Sequence, residues 1–334
     1  MSLNHLIDLA DMDREEVSAL VGLAGWLRTS PQPQALAGKI LGLVFFNPSL
    51  RTLASTQAGM ARLGGTSFVI TPGQGTWQLE SRLGVRMDGA CAEHVREGLP
   101  VLASFCDVLG IRSFAAGVDL ARDLADADFR AMASVIPTPL VNLESAIAHP
   151  MQGLADWRTL DDLGIAPRSR FVLSWVTHPR ALPLAVPATT VHMAALRGHE
   201  VVVLRPDGYA LPPEVMDRAR VAAAASGGSV SETSDRQAAL AGASVVYAKE
   251  WGSPVHYGQP AAEAALRATL DDWQVDETWF AGARADCRFM HCLPVRRNVA
   301  VADAVLDGTR SVVLAEANNR LWTQMAVLYR LLRG

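Results

Sequence analysis

The chain has 334 residues, half of them hydrophobic and 19% charged, with a formal net charge of −4, enough length for two domains and enough apolar residues for a sizeable core. A near-neutral balance with no run of like charge excludes a nucleic-acid-binding surface and a polybasic membrane patch, so the expected partner is a small molecule. No stretch of about 18 apolar residues is present to span a bilayer.

Met1-Ser2-Leu3-Asn4-His5 lacks the basic start and apolar core of a secretion signal. Cys91, Cys106, Cys287 and Cys292 show no Cys-x-x-Cys spacing of a zinc ribbon or redox dithiol. A cytoplasmic protein with reduced thiols is the expectation.

Along the chain, apolar runs of strand length alternate with longer, alanine-rich amphipathic stretches, the pattern of helices laid against a mostly parallel sheet in an α/β fold. The first half predicts strands over Ile40 to Phe46, Thr66 to Ile70, Val108 to Arg112 and Leu140 to Leu143. A helix from about Met151 to Leu163 joins the halves. The second half predicts strands over Arg170 to Trp175, His199 to Leu204, Ala243 to Ala248 and Arg288 to His291, with Val312 to Leu314 as a further candidate.

A closing helix, Asn318 to Leu332, is placed to pack back on the first half, and the Ala222 to Ala225 run reads as helix. Two sheets in two domains are expected, 1–150 completed by 318–334, and 151–317. The second half has a Rossmann-like order of elements. Its first turn, Val176-Thr177-His178-Pro179-Arg180, has none of the glycines that admit a dinucleotide pyrophosphate, so no nicotinamide cofactor is expected.

Three segments carry polar residues after an apolar run, the first two of them between a strand and a helix. In Phe45-Phe46-Asn47-Pro48-Ser49-Leu50-Arg51-Thr52, free N–H groups at a helix start, two hydroxyls and the forked Arg51 guanidinium suit a phosphoryl oxyanion. The same residues also read as an ordinary capped helix with a surface arginine. The others are His149-Pro150-Met151-Gln152, preceded by Glu144, and His291-Cys292-Leu293-Pro294. Singly, each has a plainer account, a loop histidine as a satisfied structural group and Cys292 as a small buried hydrophobe.

Their order adds information. Ser-x-Arg-Thr, then Arg112 at a strand end, then His-Pro-x-Gln, then His-Cys-Leu-Pro, then Glu316-Ala317-Asn318-Asn319-Arg320 resembles the signature of the aspartate and ornithine carbamoyltransferase superfamily over nearly the whole chain. Ornithine enzymes of that family carry Asp-x-Trp-x-Ser-Met-Gly, whose aspartate receives the substrate α-ammonium. Here the aligned stretch is Tyr247-Ala248-Lys249-Glu250-Trp251-Gly252-Ser253. Lys249 would repel a free α-ammonium and suit an acylated α-nitrogen with carboxylates or carbonyls near it.

That pattern resembles the N-acetylornithine and N-succinylornithine carbamoyltransferases, as do Trp77 with Glu80, Met87-Asp88-Gly89, His178-Pro179-Arg180 and Val295-Arg296-Arg297-Asn298. Acetylornithine enzymes place a glutamate just after Met-Asp-Gly and succinylornithine enzymes a proline; this chain has Ala92. Alanine removes a charge that would oppose a succinyl carboxylate, so N-succinylornithine is the favoured substrate and N-acetylornithine the alternative.

The resemblance implies a carbamoyl-phosphate domain (1–150 with 318–334), an amino-acid domain (151–317), a place in arginine biosynthesis, and no cofactor or metal. It assigns carbamoyl phosphate to Ser49, Leu50, Arg51, Thr52, Trp77, Arg112, His149, Gln152, Cys292, Leu293 and Arg320. Arg51, Thr52, His149, Gln152 and Cys292 are the catalytic candidates. It assigns the amino acid to Glu144, His178, Lys249, Leu293 and Arg296, with Ala92 setting specificity.

Trp77 would reach into a neighbouring subunit's site, which implies a homotrimer; its plainer reading is a partly buried core aromatic. Leu53 stands where the family's turn usually carries another arginine, so a non-catalytic anion-binding relative remains an open alternative, as does an enzyme acting on free ornithine or another amine. Ala300 and Val301 exclude the carboxylated lysine of some acetylornithine enzymes.

Overall fold

In the computed structural model, residues 4–333 are described; residues 1–3 of the amino-terminal segment and residue 334 of the 318–334 segment lie outside them. Two five-stranded sheets form, each parallel throughout. The first contains β1 (His5–Leu6), β2 (Ile40–Phe45), β3 (Thr66–Ile70), β6 (Val108–Arg112) and β7 (Leu140–Glu144), in the order β1-β7-β6-β2-β3. The second contains β8 (Arg170–Trp175), β9 (Glu200–Leu204), β10 (Ser229–Thr233), β11 (Val245–Lys249) and β12 (Arg288–Met290), in the order β10-β9-β8-β11-β12. A small parallel pair, β4 (Leu79–Glu80) and β5 (Glu93–His94), stands apart.

Central strands in both sheets are nearly continuous apolar runs because helices cover both faces. All of β6, β7 and β11 is buried, and so is all but the first residue of β2, β8 and β9. The edge strand β10, Ser-Val-Ser-Glu-Thr, is at most half-buried and has no such signature. Its five-residue register with β9 makes it a strand; tertiary pairing overrides a polar sequence.

Val312 to Leu314 is a correction. Only Ser311 bridges to Phe289, and a helix runs Val313–Arg333, starting five residues before the expected Asn318. Glu316 N–H donates to Val312 O at 2.9 Å in its first turn. A three-residue apolar run fits a strand or a buried helix start equally well.

The helix Pro150–Asp162 joins the halves. Pro150 occupies its first turn, where a missing N–H costs nothing, and ten of its thirteen residues are buried. It packs on Val313–Arg333, on the wholly buried helix Ala185–Leu196 and on Arg14–Thr29. A Cβ at Gly153 would lie 2.6 Å from Leu9 and 2.7 Å from Thr189, so glycine permits this close approach. One hydrophobic core runs through both sheets and these helices.

In each sheet the chain moves outward on one side and then returns to the other. The reversals fall between β2 and β6 and between β8 and β11. Loops diverge there at the carboxyl ends of the strands, the usual place for a ligand crevice in open α/β sheets.

Candidate active site

A cleft of about 630 Å³ opens between those two switch points, lined from both halves of the chain. Its lining includes Ser49, Leu50 and Arg51 after β2, Arg112 at the end of β6, Glu144 at the end of β7, and His149 and Gln152 at the next helix start. From the other half come His178 after β8, Lys249 ending β11, Cys292, Leu293 and Arg296 after β12, and Arg320. A second, open cleft of about 610 Å³ lies around Arg168, Arg170, Glu200 and Arg284, before the second sheet's strands. There Arg170 is paired to Glu200 at 2.6 Å and Arg284 to Asp286 at 3.0 Å, so two of its three cations are already matched.

The start of the Leu50–Arg62 helix faces the first cleft. Ser49 is its N-cap, accepting from Thr52 N–H at 3.3 Å in extended backbone, which leaves its own O–H to donate. Arg51 is half-buried with an unpartnered Nε, and burial, reinforced by Arg112, depresses its pKa. Leu53 is half-buried against the main core, where an arginine would lose its hydration.

Thr52 sits one layer below. It does not line the cleft; it is fully buried, and its hydroxyl accepts from Arg320 Nη2 at 2.7 Å. The other Arg320 arm, Nη1, donates to Gln152 Oε1 at 3.1 Å, and Gln152 Nε2 donates to Asp156 at 2.7 Å and Glu316 at 3.1 Å. Burial and the neighbouring Arg112 lower Arg320 to about 10, so it stays cationic at neutral pH.

The turn after β7 is braced from beneath. Buried Asp126 accepts from Ser145 Oγ at 2.7 Å and Ala146 N–H at 3.2 Å, and Thr189 Oγ1 accepts from His149 N–H at 2.8 Å. Glu144 is thereby held against Arg112 in a buried ion pair, with His149 Nε2 3.4 Å from the same oxygen. Burial first, and then Arg320 and Arg112, keep the His149 pKa well below its ordinary value, so the imidazole is neutral.

Across the cleft, Lys249 is buried with Nζ 3.2 Å from Glu250. Burial alone would lower its pKa, but the adjacent carboxylate overrides that and holds it above its usual value. Burial would likewise raise Glu250, and the Lys249 charge pulls it down instead. His291 Nδ1 accepts from Leu293 N–H at 2.9 Å, which leaves its proton on Nε2, 3.3 Å from the other Glu250 oxygen. Leu293 is bent into the left-handed region at φ 53. The Cys292 thiol is pushed up to about 12 by burial, so it is no thiolate at neutral pH.

Besides Thr52, two predicted residues lie outside the cleft. Trp77 is 60% exposed, which removes the core-aromatic reading, and its Nε1 donates to Glu93 at 2.8 Å. Ala92 is exposed beside the β4–β5 pair. Conversely, sequence reasoning gave no role to Arg180, Glu250, Asp156 or Glu316. A signal existed for the last two, since Asp156 follows Gln152 by four residues and Glu316 precedes Arg320 by four, spacings that share a helix face.

Residues 4–162 match the family described as aspartate/ornithine carbamoyltransferase, carbamoyl-P binding domain, and residues 185–331 match its Asp/Orn binding domain. The chain is 38% identical to the N-acetylornithine carbamoyltransferase of Xanthomonas campestris pv. campestris, covering 98% of this chain and 97% of that one. It is 35% identical to the N-succinylornithine carbamoyltransferase of Bacteroides thetaiotaomicron, over 89% and 88% respectively. Among solved structures, acetylornithine transcarbamylase complexed with acetylcitrulline superimposes with a TM-score of 0.94 at 37% identity, covering 98% of this chain and 99% of that one. A glutamate-to-alanine mutant of N-acetyl-L-ornithine transcarbamylase, complexed with carbamyl phosphate and N-succinyl-L-norvaline, matches equally well, at 0.94 and 37%, over 98% and 100%.

Proposed function

Because the chain belongs to the aspartate/ornithine carbamoyltransferase family, we propose that it transfers the carbamoyl group of carbamoyl phosphate to the δ-amine of N-succinyl-L-ornithine. The products are N-succinyl-L-citrulline and phosphate, in arginine biosynthesis. The observation that carries this reading is the charge of the cleft. Its lining holds six cations, Arg51, Arg112, Arg180, Lys249, Arg296 and Arg320, against two carboxylates, Glu144 and Glu250, an excess of four.

Carbamoyl phosphate brings about two negative charges and the substrate α-carboxylate a third. A succinyl carboxylate supplies the fourth, and the exposed guanidiniums of Arg180 and Arg296 at the rim suit it. Lys249 disfavours an α-ammonium in the same place. The crystallised glutamate-to-alanine mutant that carries a succinyl ligand supports the reading of Ala92. The higher identity to an acetylornithine enzyme favours N-acetylornithine as the second reading.

In the proposed reaction, the helix start at Ser49, Leu50 and Arg51 holds the phosphoryl group with Arg112, and Trp77 covers it from a neighbouring subunit of a trimer. Arg51 and neutral His149 donate to the carbamoyl oxygen; Thr52 acts by fixing Arg320. Gln152 Oε1 and the carbonyls of Cys292 and Leu293 accept from the carbamoyl NH₂. Glu144, His178, Lys249, Leu293 and Arg296 hold the amino acid.

The neutral δ-nitrogen attacks the carbamoyl carbon, the tetrahedral oxyanion is stabilised by those donors, and the bond to the phosphate oxygen breaks with its electrons. Phosphate accepts the amine's proton. With the Cys292 thiol protonated, transfer is direct, without a covalent enzyme intermediate.

The test is carbamoyl-phosphate-dependent formation of acylcitrulline with N-succinylornithine, N-acetylornithine and ornithine side by side. The highest kcat/KM is expected for the succinyl substrate. Preference for acetyl would replace the acyl assignment and keep the reaction, preference for ornithine would overturn the role of Lys249, and turnover of none would promote the anion-binding alternative.

A further inference from the structure

Directly beneath the carbamoyl end of the cleft lie two carboxyl groups to which the reaction above gives no task. Asp156, from the helix Pro150–Asp162, and Glu316, from the helix Val313–Arg333, are both fully buried. Gln152 Nε2 bridges them, donating to Asp156 Oδ1 at 2.7 Å and to Glu316 Oε1 at 3.1 Å. The second Glu316 oxygen accepts from the N–H of His291 at 3.0 Å, while Asp156 Oδ2 is buried without a partner. One amide nitrogen thus holds two acid oxygens close together in a dry interior, where both cannot stay ionised.

The surrounding charges do not cancel two anions. From β11 the pair faces Tyr247, a phenol that burial raises well above its ordinary pKa; after β12 it faces Cys292, a protonated thiol. Arg320 from its own helix is the near cation, with Arg51 of the Leu50–Arg62 helix beyond it. Burial raises Asp156 to about 7 and Glu316 well above its usual range.

Such a pair dictates the orientation of Gln152. Arg320 can only donate, so Gln152 Oε1 must face it, and the acid oxygens take the two Nε2 hydrogens. The amide oxygen is left on the cleft side with a lone pair free for a ligand N–H.

We propose that Asp156 and Glu316, sharing a retained proton, form the positioning pair that holds the Gln152 amide oxygen toward the carbamoyl NH₂ and anchors the His291–Pro294 turn. This deepens the carbamoyl-phosphate reading above and rests on the role given there to Gln152. Loss of the proton would set two buried anions against each other and loosen both contacts, so turnover should fall as pH rises through the pair's deprotonation.

The experiment measures kcat/KM for carbamoyl phosphate and KM for the acylornithine, from pH 6 to 10, in Gln152→Ala, Asp156→Ala, Glu316→Ala, Asp156→Asn and Glu316→Gln. The alanine variants at the acids should lose about 10- to 100-fold in kcat/KM for carbamoyl phosphate with little change in acylornithine KM, as expected when a catalytic group is misplaced by about an ångström. Asp156→Asn, which keeps an acceptor for Gln152 and puts its NH₂ at the unpartnered Oδ2 position, should recover much of the loss and move the alkaline limb upward or abolish it. An unshifted alkaline limb in both amide variants overturns the shared proton, and that arm stands even if the alanine variants do not fold. Impaired Gln152→Ala beside unimpaired acid variants overturns the positioning pair alone. A silent Gln152→Ala overturns both the pair and the carbamoyl role of Gln152.

Discussion

The floor and the rim of the cleft are built on opposite plans. On the floor, Thr52, Gln152, Asp156, Glu316 and Arg320 form one buried network, and Arg112 is locked to Glu144. At the rim, Arg180 and Arg296 are exposed, and beyond it Ala92 lies on a surface loop and the exposed Trp77 ring donates to Glu93. A rigid floor provides donors that need no reorganisation when charge develops. A loosely determined rim can change the acyl group accepted without touching the chemistry.

The largest effect should follow from breaking the floor. Arg51→Ala removes the proposed donor to the phosphoryl and carbamoyl oxygens, and kcat/KM for carbamoyl phosphate is expected to fall about 10³-fold, roughly 4 kcal/mol. Steady-state kinetics with the acylornithine saturating checks this. A loss under tenfold would mean that the helix start alone carries the anion.

A pH effect on stability, remote from the cleft, comes next. His199 accepts at Nε2 from Arg197 at 2.7 Å, and its Nδ1–H donates to Ser169 O at 3.1 Å. Burial, and then Arg197, lower its pKa to about 4, against about 6.5 in an unfolded chain. The unfolded state therefore binds the extra proton between those values. This contribution is complete above pH 6.5 and is lost as pH falls through 4, amounting to roughly 3 kcal/mol at most. Denaturant unfolding at pH 7.5 and 4.5 should show it, and H199Q should flatten the dependence. Activity, by contrast, should fall on the alkaline side, where the floor loses its proton.

The rim should respond selectively. If Ala92 sets acyl choice as proposed, Ala92→Glu should oppose a succinyl carboxylate and lower kcat/KM for N-succinylornithine about 10- to 100-fold relative to N-acetylornithine. Equal losses on both substrates would remove Ala92 from acyl selection.

This division also separates what the sequence made legible. The ends of buried strands carry short polar motifs after apolar runs, so Ser49 to Thr52, His149 with Gln152, and His291 to Pro294 could be picked out before any fold was known. Asp156 and Glu316 could not be valued that way, because an acid acquires significance only when burial and a shared neighbour are visible. Arg180 sat inside a quoted motif, yet only the cleft sets it among five other cations. The strand β10 has a single apolar residue, and Val312 to Leu314 has an apolar run too short to reveal its period.

The smallest effect is expected at a residue that looks catalytic in sequence and sits at the centre of the cleft. Burial lifts the Cys292 thiol to about 12, so below about pH 10 it holds its proton and supplies neither a nucleophile nor a charge. Cys292→Ser keeps a small polar side chain and leaves in place the backbone carbonyl proposed to receive the carbamoyl NH₂. We expect kcat within about fivefold of the parent, under about 1 kcal/mol, and slow alkylation of the parent thiol at neutral pH. A loss near that of Arg51→Ala would place the sulfur on the reaction path and move the boundary of the floor one residue further into the His291–Pro294 turn.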